Sequence, residues 1–594
     1  MKNEVSLCMI VKNEEEYLPR CLESIRDVVD EIIIVDTGSI DRTVEIAKSY
    51  GAKVYYFKWN NNFSEARNES LKYATKDWIL ILDADDELRA QYKENLKLFL
   101  NNELDENTLY FFETLSYYGD IVDNNCITVN LNPRMFKNNR EIHYEGRIHN
   151  QLVYAQGKYD TICSSIKIHH YGYLNKIITS KNKRNRNITI LNEQIKKEPT
   201  NKFNYFNLGN EYTSLGEVKK ALEYYYKAYE NFDPSTGFSS ILLLRIIISN
   251  YNIQEYNDAL NFIDIAAKYY PEFTDLYFFK SLVYKDLGKP TLQIKALEKC
   301  IELGEPSSEF KFFYGSGSFK AYYELGNTYM SLNDYDAAYN YYIEATKSNP
   351  DFIDPFYCIC HILKEKHTPL DEFKSILVSL FSDFPSSYAI IADIFYNEGF
   401  YKIALEYIEK CAKLGIATEN LTMLTAKCFV RANAFDECIN MDTIDENSPI
   451  HVHLLMYKVL GSILDNNYDL ASSSVRSFQE ETLSEYNKKL LNVYSELVKL
   501  FTNEPTATLS EDENESEYIM IILEICEILI INNKFDELKI AVNLLNLINN
   551  DFALLYLGKL YNNYGYIDIA KKEIIRSIKE FDIYDSVGLD ILKK

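Results

Sequence analysis

From about residue 201 onward, eight positions of this chain recur at fixed offsets. Tyr205, Leu208, Gly209, Tyr212, Gly216, Ala221, Tyr225 and Ala228 are spaced by 3, 1, 3, 4, 5, 4 and 3 residues. Tyr322, Leu325, Gly326, Tyr329, Asn333, Ala338, Tyr342 and Ala345 keep the same spacing, with Pro350 behind them, and Leu554, Leu557, Gly558, Tyr561, Gly565, Ala570 and Ile574 follow it again. Small residues at such positions let two helices cross closely while large ones fill the gap between them. A unit of this kind cannot bury its apolar face alone, so copies must stack. The C-terminal two thirds is therefore expected to be an all-α solenoid.

This spacing is the tetratricopeptide pattern, and weaker copies are read around residues 259–271, 284–300 and 391–411. The acidic stretch 503–517 reads as a solvated loop between helices. The strongest apolar run, 518–531, carries Glu524 and Glu527 and is too short to span a bilayer.

The first hundred residues carry a different period. Runs at 6–11, 31–36, 53–57 and 78–83 are β-branched or aromatic and end in polar or acidic residues, and helical stretches near 15–28, 41–50 and 63–74 lie between them. Such alternation predicts a Rossmann-like, mainly parallel sheet with right-handed crossovers, an α/β domain whose ligands sit outside the carboxyl ends of its strands. Those ends carry Lys12-Asn13-Glu14, Asp36-Thr37-Gly38-Ser39 and Asp83-Ala84-Asp85-Asp86. Residues from about 105 to 173 read as shorter, less regular strands at 109–117, 127–131 and 166–169. A basic helical segment at 174–199 ends in Pro199. We place the domains at 1–175, a linker helix at 176–200, and the repeats at 201–594.

Composition narrows the function classes. With 47% hydrophobic residues the chain can bury a core, and 63 basic against 88 acidic residues give a net charge of −25, which argues against nucleic-acid binding and against docking on anionic membranes. Eleven cysteines are scattered without a CxxC pair, as expected of a reduced, cytoplasmic protein. Cys358, Cys360, His361 and His367 have a metal-like spacing, but their neighbours read as the apolar face of a helix. The N-terminal residues place charges at 12–16, where a signal peptide needs its apolar stretch, so neither secretion nor membrane insertion is expected.

Asp83 and Asp85 follow an apolar strand and fall on one side of an extended segment. Two carboxylates there suit Mg²⁺ or Mn²⁺ shared with a diphosphate; the plainer alternative is a solvated loop with capping aspartates. Four segments then occur in order: SLCMIVKNEEEYLPRCLES, DEIIIVDTGSIDRTVEIAKSYGAKV, FSEARNESLKYA and DWILILDADDEL. Together they resemble the family 2 glycosyltransferases of GT-A fold, and more narrowly the branch with C-terminal tetratricopeptide repeats that includes the sublancin-type peptide S-glycosyltransferases. The resemblance covers residues 4 to about 175.

It implies roles. Val11, Lys12, Asn13 and Asp36 would hold the base and ribose of a UDP-sugar, Asp36 as acceptor for the uracil edge, with a capping role for Asp36 as the alternative and Asp41 better placed for that cap. Arg67 and Asn68 would lie near the diphosphate. Asp83 would face the ribose or the metal, and Asp85 would ligate the metal. EGRIHNQL at 145–152 and HHYGY at 169–173 resemble two later motifs of the family. His170 is expected as a further metal ligand or a core histidine, whereas His169 and His143 read as structural.

Two positions depart from the family pattern. Asn150 stands where relatives carry Glu and cannot take a proton, so the base would be His149, Glu145 or Asp86. A cysteine acceptor, partly ionised near neutral pH, would need less help. Ile40 replaces a Thr in a loop, at little expected cost. The leading expectation is a metal-dependent inverting transferase acting on a peptide or protein side chain, with the repeats docking the acceptor or a second copy in a homodimer. The alternatives are the same chemistry on a glycan or lipid-linked acceptor, and an inactive scaffold.

Overall fold

Four strands open the chain and pair in parallel: β1 (Val5–Val11), β2 (Glu31–Asp36), β3 (Lys53–Tyr56) and β4 (Trp78–Ile81), in the order β3-β2-β1-β4. β1, β2 and β4 are buried almost throughout, as unbroken apolar runs are when both faces of a parallel sheet are covered. Three helices make the crossovers: α1 (Leu18–Ile25), α2 (Thr43–Ser49) and α3 (Phe63–Lys72). α1 buries Leu18, Cys21, Leu22 and Ile25, one stripe at helical spacing. In α3 the Asn62 side chain caps the first turn by accepting from the Glu65 amide. This computed structural model describes residues 3–120, 127–139, 141–154, 159–174, 183–307, 310–381, 387–442, 444–445, 448, 450–478, 483–510 and 516–594.

The second half of the sheet is mixed. β5 (Asp86–Glu87), α4 (Ala90–Leu100), β6 (Thr108–Gly119), β7 (Ile127–Lys137), a small hairpin of β8 (Ile142–Glu145) and β9 (Gln151–Tyr154), and β10 (Asp160–Leu174) follow. β7 runs antiparallel to β4 and β6, β10 is parallel to β6, and β5 closes the edge against β10, giving β3-β2-β1-β4-β7-β6-β10-β5. The strands expected to be short are 12, 11 and 15 residues long. β7 continues past 131 through Pro133. Pro133 donates no ladder hydrogen bond, but it sits where the register jumps from Tyr110↔Met135 to Phe111↔Pro133. That bulge tolerates proline and takes Arg134 out of the pairing.

The repeats form antiparallel helix pairs, among them Lys202–Ser214 with Val218–Tyr229, Phe319–Ser331 with Tyr335–Ser348, and Ala553–Asn563 with Ile567–Phe581. The recurring glycine is a steric requirement in each. A Cβ on Gly209 would lie 2.4 Å from the Tyr225 ring, one on Gly326 2.5 Å from Tyr342, and one on Gly558 2.7 Å from Ile574. The basic segment contains the helix Lys183–Lys197, while residues 175–182 lie outside the described ones. The apolar run is the helix Ser516–Ile531, buried on nearly every side. Among the described residues, no helix is long and apolar enough to cross a membrane.

The chain divides into two units, 1–359 and 360–594. Residue 200, where the hydrophobic period changes, lies inside the first. There the sheet domain and the first repeats share packing: Ile148 sits in one core with Ile190, Leu191, Phe206, Leu208 and Tyr212. The segment after the helix Pro290–Leu303 returns to the sheet, where the Val129 amide donates to the Phe312 carbonyl at 2.7 Å and Lys311 lies 3.6 Å from Glu113. Buried Asp275 holds that segment by accepting from the Phe312 and Phe313 amides and the Ser316 hydroxyl.

Candidate active site

β4 stops at Ile81 because the next residues turn on themselves. The Asp86 amide donates to the Asp83 carbonyl at 3.0 Å, and the Asp83 amide donates to Asp86 Oδ2 at 2.8 Å. Asp86 is 0% exposed. Arg134, brought inward at the β7 bulge, lies 2.9 Å from Asp86 Oδ2 and 3.8 Å from Asp83 Oδ2. Asp86 Oδ1 lies 2.9 Å from His170 Nδ1. Asp86 is thus enclosed, with both oxygens engaged, beneath His170.

The short strand β5 pairs with β10 so that His170 faces Asp86. Asp85 is buried, with Oδ1 3.5 Å from His170 Nδ1. Burial by itself would lower the His170 pKa, but the Asp85 and Asp86 carboxylates override it and raise it to about 9. The Nδ1 contact to Asp86 leaves Nε2 as the outward nitrogen. A Cβ on Gly172 would lie 2.5 Å from Asp85 Oδ2 and 2.7 Å from His170 Nε2, so only glycine at this position lets these two side chains approach the strand and each other. Among the described residues, Asp85, Asp86 and His170 form the one group of three whose ligand atoms lie within 4.8 Å of one another; Cys358, Cys360, His361 and His367 are not in it. An anionic oxygen and an imidazole nitrogen held close together, with a carboxylate behind the imidazole, form a donor set that suits a divalent cation.

Asp83 lies between two guanidinium groups. Arg67 Nη2 donates to Asp83 Oδ1 at 2.7 Å. Burial would raise the Asp83 pKa, but Arg67 and Arg134 outweigh it and hold the carboxyl well below its ordinary range. Asn68 is turned elsewhere. Its amide donates to the Tyr144 carbonyl at 2.9 Å and accepts from the Tyr144 amide at 2.7 Å, clipping β8 onto α3.

At the neighbouring strand ends, Asp36 accepts from the Gly38 amide at 3.0 Å and the Ser39 amide at 3.1 Å, so its carboxylate shapes the turn after β2. An ionised carboxylate has about four lone-pair sites, which leaves capacity for a further donor. Asp41 accepts from the Thr43 amide in the turn ahead of α2, whose N-cap is Arg42 rather than the Asp41 expected. Asn13, at φ 54°, accepts from the Ile40 amide and joins the loop after β1 to that after β2. Val11 is buried at the end of β1, Lys12 is exposed, and Ile40 is 93% exposed.

The later motifs are divided. His169 is buried in the sheet against the Tyr117 hydroxyl at 2.9 Å, and burial lowers its pKa to about 3, a neutral core histidine. Glu145 is exposed on β8 and lies 3.1 Å from His143. His149 has φ 49°, an uncommon conformation for a residue other than glycine or asparagine, and its Nε2 lies 3.5 Å from Glu211 Oε1 on the helix Lys202–Ser214. Nothing in the sequence singled out Arg134, Glu211 or the role of Gly172; the HHYGY motif held the only trace, a glycine within a strand.

Residues 6–117 match the Glycosyl transferase family 2 profile. Tetratricopeptide repeat profiles match 204–231, 274–303 and 319–352. The chain is 29% identical over 286 residues to the SPbeta prophage-derived glycosyltransferase SunS of Bacillus subtilis, covering 46% of this chain and 65% of that protein. It is 38% identical over 178 residues to a TPR repeat-containing protein of Synechococcus elongatus, covering 29% of this chain and 42% of that one. A crystal structure of glucosyl-3-phosphoglycerate synthase from Mycobacterium tuberculosis with Mn²⁺ and UDP superposes on 19% of this chain and 44% of that one, at 22% identity and a TM-score of 0.17. The chain spans less than two thirds of each of these relatives.

Proposed function

We propose that this chain, which joins a family 2 glycosyltransferase domain to tetratricopeptide repeats, moves a hexose with inversion from a UDP-sugar to a side chain of a peptide or protein. The observation that carries the reading is the cluster of Asp85, Asp86 and His170 just beyond the end of β4, whose ligand atoms lie within 4.8 Å of one another. Asp85 and His170 would hold Mn²⁺ or Mg²⁺. A divalent cation there supplies Lewis-acid charge against the diphosphate.

The remaining work belongs to the chain's own residues. Arg67, fixed by Asp83, offers positive charge beside the diphosphate as the bond to the anomeric carbon breaks. The loops ending β1 and β2, joined through Asn13, would seat the nucleoside, with Asp36 using its remaining acceptor capacity on the base. Asn68 would act by holding β8, since both its amide groups are engaged there. His149 is the base this reading favours, because Asp86 is enclosed and Glu145 is paired with His143 on the hairpin. The repeats would dock the acceptor or a second copy of the chain.

Calorimetric titration with UDP in the presence and absence of Mn²⁺ tests the donor side. Binding that needs Mn²⁺ and disappears in Asp85→Ala is expected; equal binding in the variant would remove the site from consideration. Asn150 favours a second reading, a scaffold that binds without turnover, and its signature would be UDP binding with no hydrolysis of any UDP-sugar.

A further inference from the structure

The loop that carries His149 lacks an acid of its own: Asn150 cannot take a proton, and its side-chain nitrogen is buried without a partner among the described residues. A carboxylate reaches His149 from another part of the chain. Glu211 lies on the first repeat helix, with its side chain 2% exposed. Its Oε2 accepts from Arg184 Nη1 at 3.0 Å, and its Oε1 accepts from Asn187 Nδ2 at 2.9 Å and faces His149 Nε2 at 3.5 Å. Burial would raise the Glu211 pKa, but His149, Arg184 and Asn187 outweigh it and keep the carboxyl below its ordinary range.

A carboxylate so enclosed cannot touch a substrate. It can receive the Nε2 proton of His149, whose side chain is 33% exposed, and so leave the Nδ1 lone pair as the acceptor of the neutral ring. The loop is also anchored to the helix that serves the candidate active site. The Phe63 amide donates to the Arg147 carbonyl at 2.9 Å, and the Ser64 hydroxyl donates to the Gly146 carbonyl, both at the start of α3, which carries Arg67 to Asp83. Tyr173 stands between the two clusters: its ring packs edge-on against His170 at 5.2 Å, and its hydroxyl senses the charges of Arg184, Arg245, Glu211 and Asp85.

We propose that Glu211, supplied by the first repeat, is the positioning carboxylate of a His149–Glu211 pair in which His149 is the base of the transfer reaction. This rests on the glycosyltransferase reading above. In the step, an acceptor O–H or S–H gives its proton to His149 Nδ1 while the acceptor atom bonds to the anomeric carbon. The anomeric C–O bond breaks, and its electron pair leaves on the terminal phosphate of UDP. Glu211 remains ionised and stabilises the imidazolium that forms. The repeats would then complete the catalytic site as well as dock a partner, and Asn150 would be compensated from outside its own motif.

The test uses the full chain, Mn²⁺, and UDP-glucose, UDP-galactose and UDP-N-acetylglucosamine with water as acceptor. Glu211→Gln and His149→Gln are each expected to lower kcat about 100-fold, the scale of a lost general base, with KM and the affinity for UDP within twofold of wild type. The double variant is expected to be no slower than the slower single, because the two residues act as a unit. Glu211→Asp, which keeps the charge against Arg184, is expected to recover at least a tenth of the wild-type kcat, and it carries the test should Glu211→Gln fail to fold. A Glu211→Gln kcat within twofold of wild type, a loss confined to KM, or multiplying losses in the double variant would overturn the pairing alone. A wild-type chain that binds UDP and turns over none of the three donors would overturn the parent reading and the pairing with it.

Discussion

His170 Nδ1 lies 2.9 Å from Asp86 Oδ1, and that contact sets which nitrogen of the ring faces outward. Asp86 also neutralises buried Arg134, so one carboxylate serves both orientation and charge balance. Asp86→Asn is therefore expected to act twice. Mn²⁺ affinity should fall about 10- to 100-fold, the usual effect of losing the group behind a ligating histidine. Stability should fall too, though by less than the roughly 3–5 kcal/mol of a wholly unpaired buried charge, because Arg134 keeps its 3.8 Å contact with Asp83. Calorimetry with Mn²⁺ and thermal melting read the two effects separately, and unchanged Mn²⁺ affinity would remove the orienting role.

Gly172→Ala displaces both proposed ligands without replacing either. The added methyl would lie 2.5 Å from Asp85 Oδ2 and 2.7 Å from His170 Nε2. Mn²⁺ binding should weaken at least about tenfold, as when the surroundings of a metal ligand are disturbed. An alanine variant that binds Mn²⁺ as tightly as wild type would show that Asp85 and His170 are not the ligands.

The recurring glycine of the repeats makes a packing prediction. Gly209→Ala pushes a methyl into the Tyr225 ring and Gly326→Ala into Tyr342. Each should cost about 1–3 kcal/mol, the range for overfilling a packed core. Shrinking the partner ring, Tyr225→Leu in the Gly209→Ala background, should recover part of the loss in thermal midpoint, whereas no recovery would point away from that contact.

Asp275 gives a pH dependence with a definite sign. Burial raises its pKa from 3.8 to about 7, more than its hydrogen bonds from Ser316, Phe313 and Phe312 lower it. The folded chain thus holds a proton that the unfolded chain releases above about pH 4. Its contribution is fully present below that pH, declines as pH rises toward 7, and is gone above it. At about 1.4 kcal/mol per pH unit, the wild type should gain up to about 4 kcal/mol relative to Asp275→Asn between pH 8 and pH 4. Melting of both proteins across that range measures it, and a difference that stays constant with pH would refute it.

Much of this arrangement was legible because it is written in local spacing. The strand ends at Asp36 and Asp83–Asp86 follow from apolar runs that stop, and Gly209, Gly326 and Gly558 follow from a period that repeats. What escaped depends on contacts between distant segments. Arg134 reaches Asp86 at a bulge beside Pro133 that removes it from the ladder, and nothing in the local spacing marks that bulge. Glu211 sits among ordinary repeat residues, and its meeting with His149 depends on how the first repeat packs on the sheet domain around Ile148. Asp36 and Asn68 were read from a motif as ligand contacts; their backbone partners at Gly38, Ser39 and Tyr144 lie beyond what spacing encodes.

The most direct measurement is hydrolysis of a UDP-sugar panel with Mn²⁺ by the wild-type chain and Asp85→Ala in parallel. Slow, Mn²⁺-dependent release of sugar from one donor, abolished in Asp85→Ala, is the expected result. Turnover that persists in Asp85→Ala, or the absence of both turnover and UDP binding in the wild type, would contradict a metal-dependent glycosyltransferase built around Asp85 and His170.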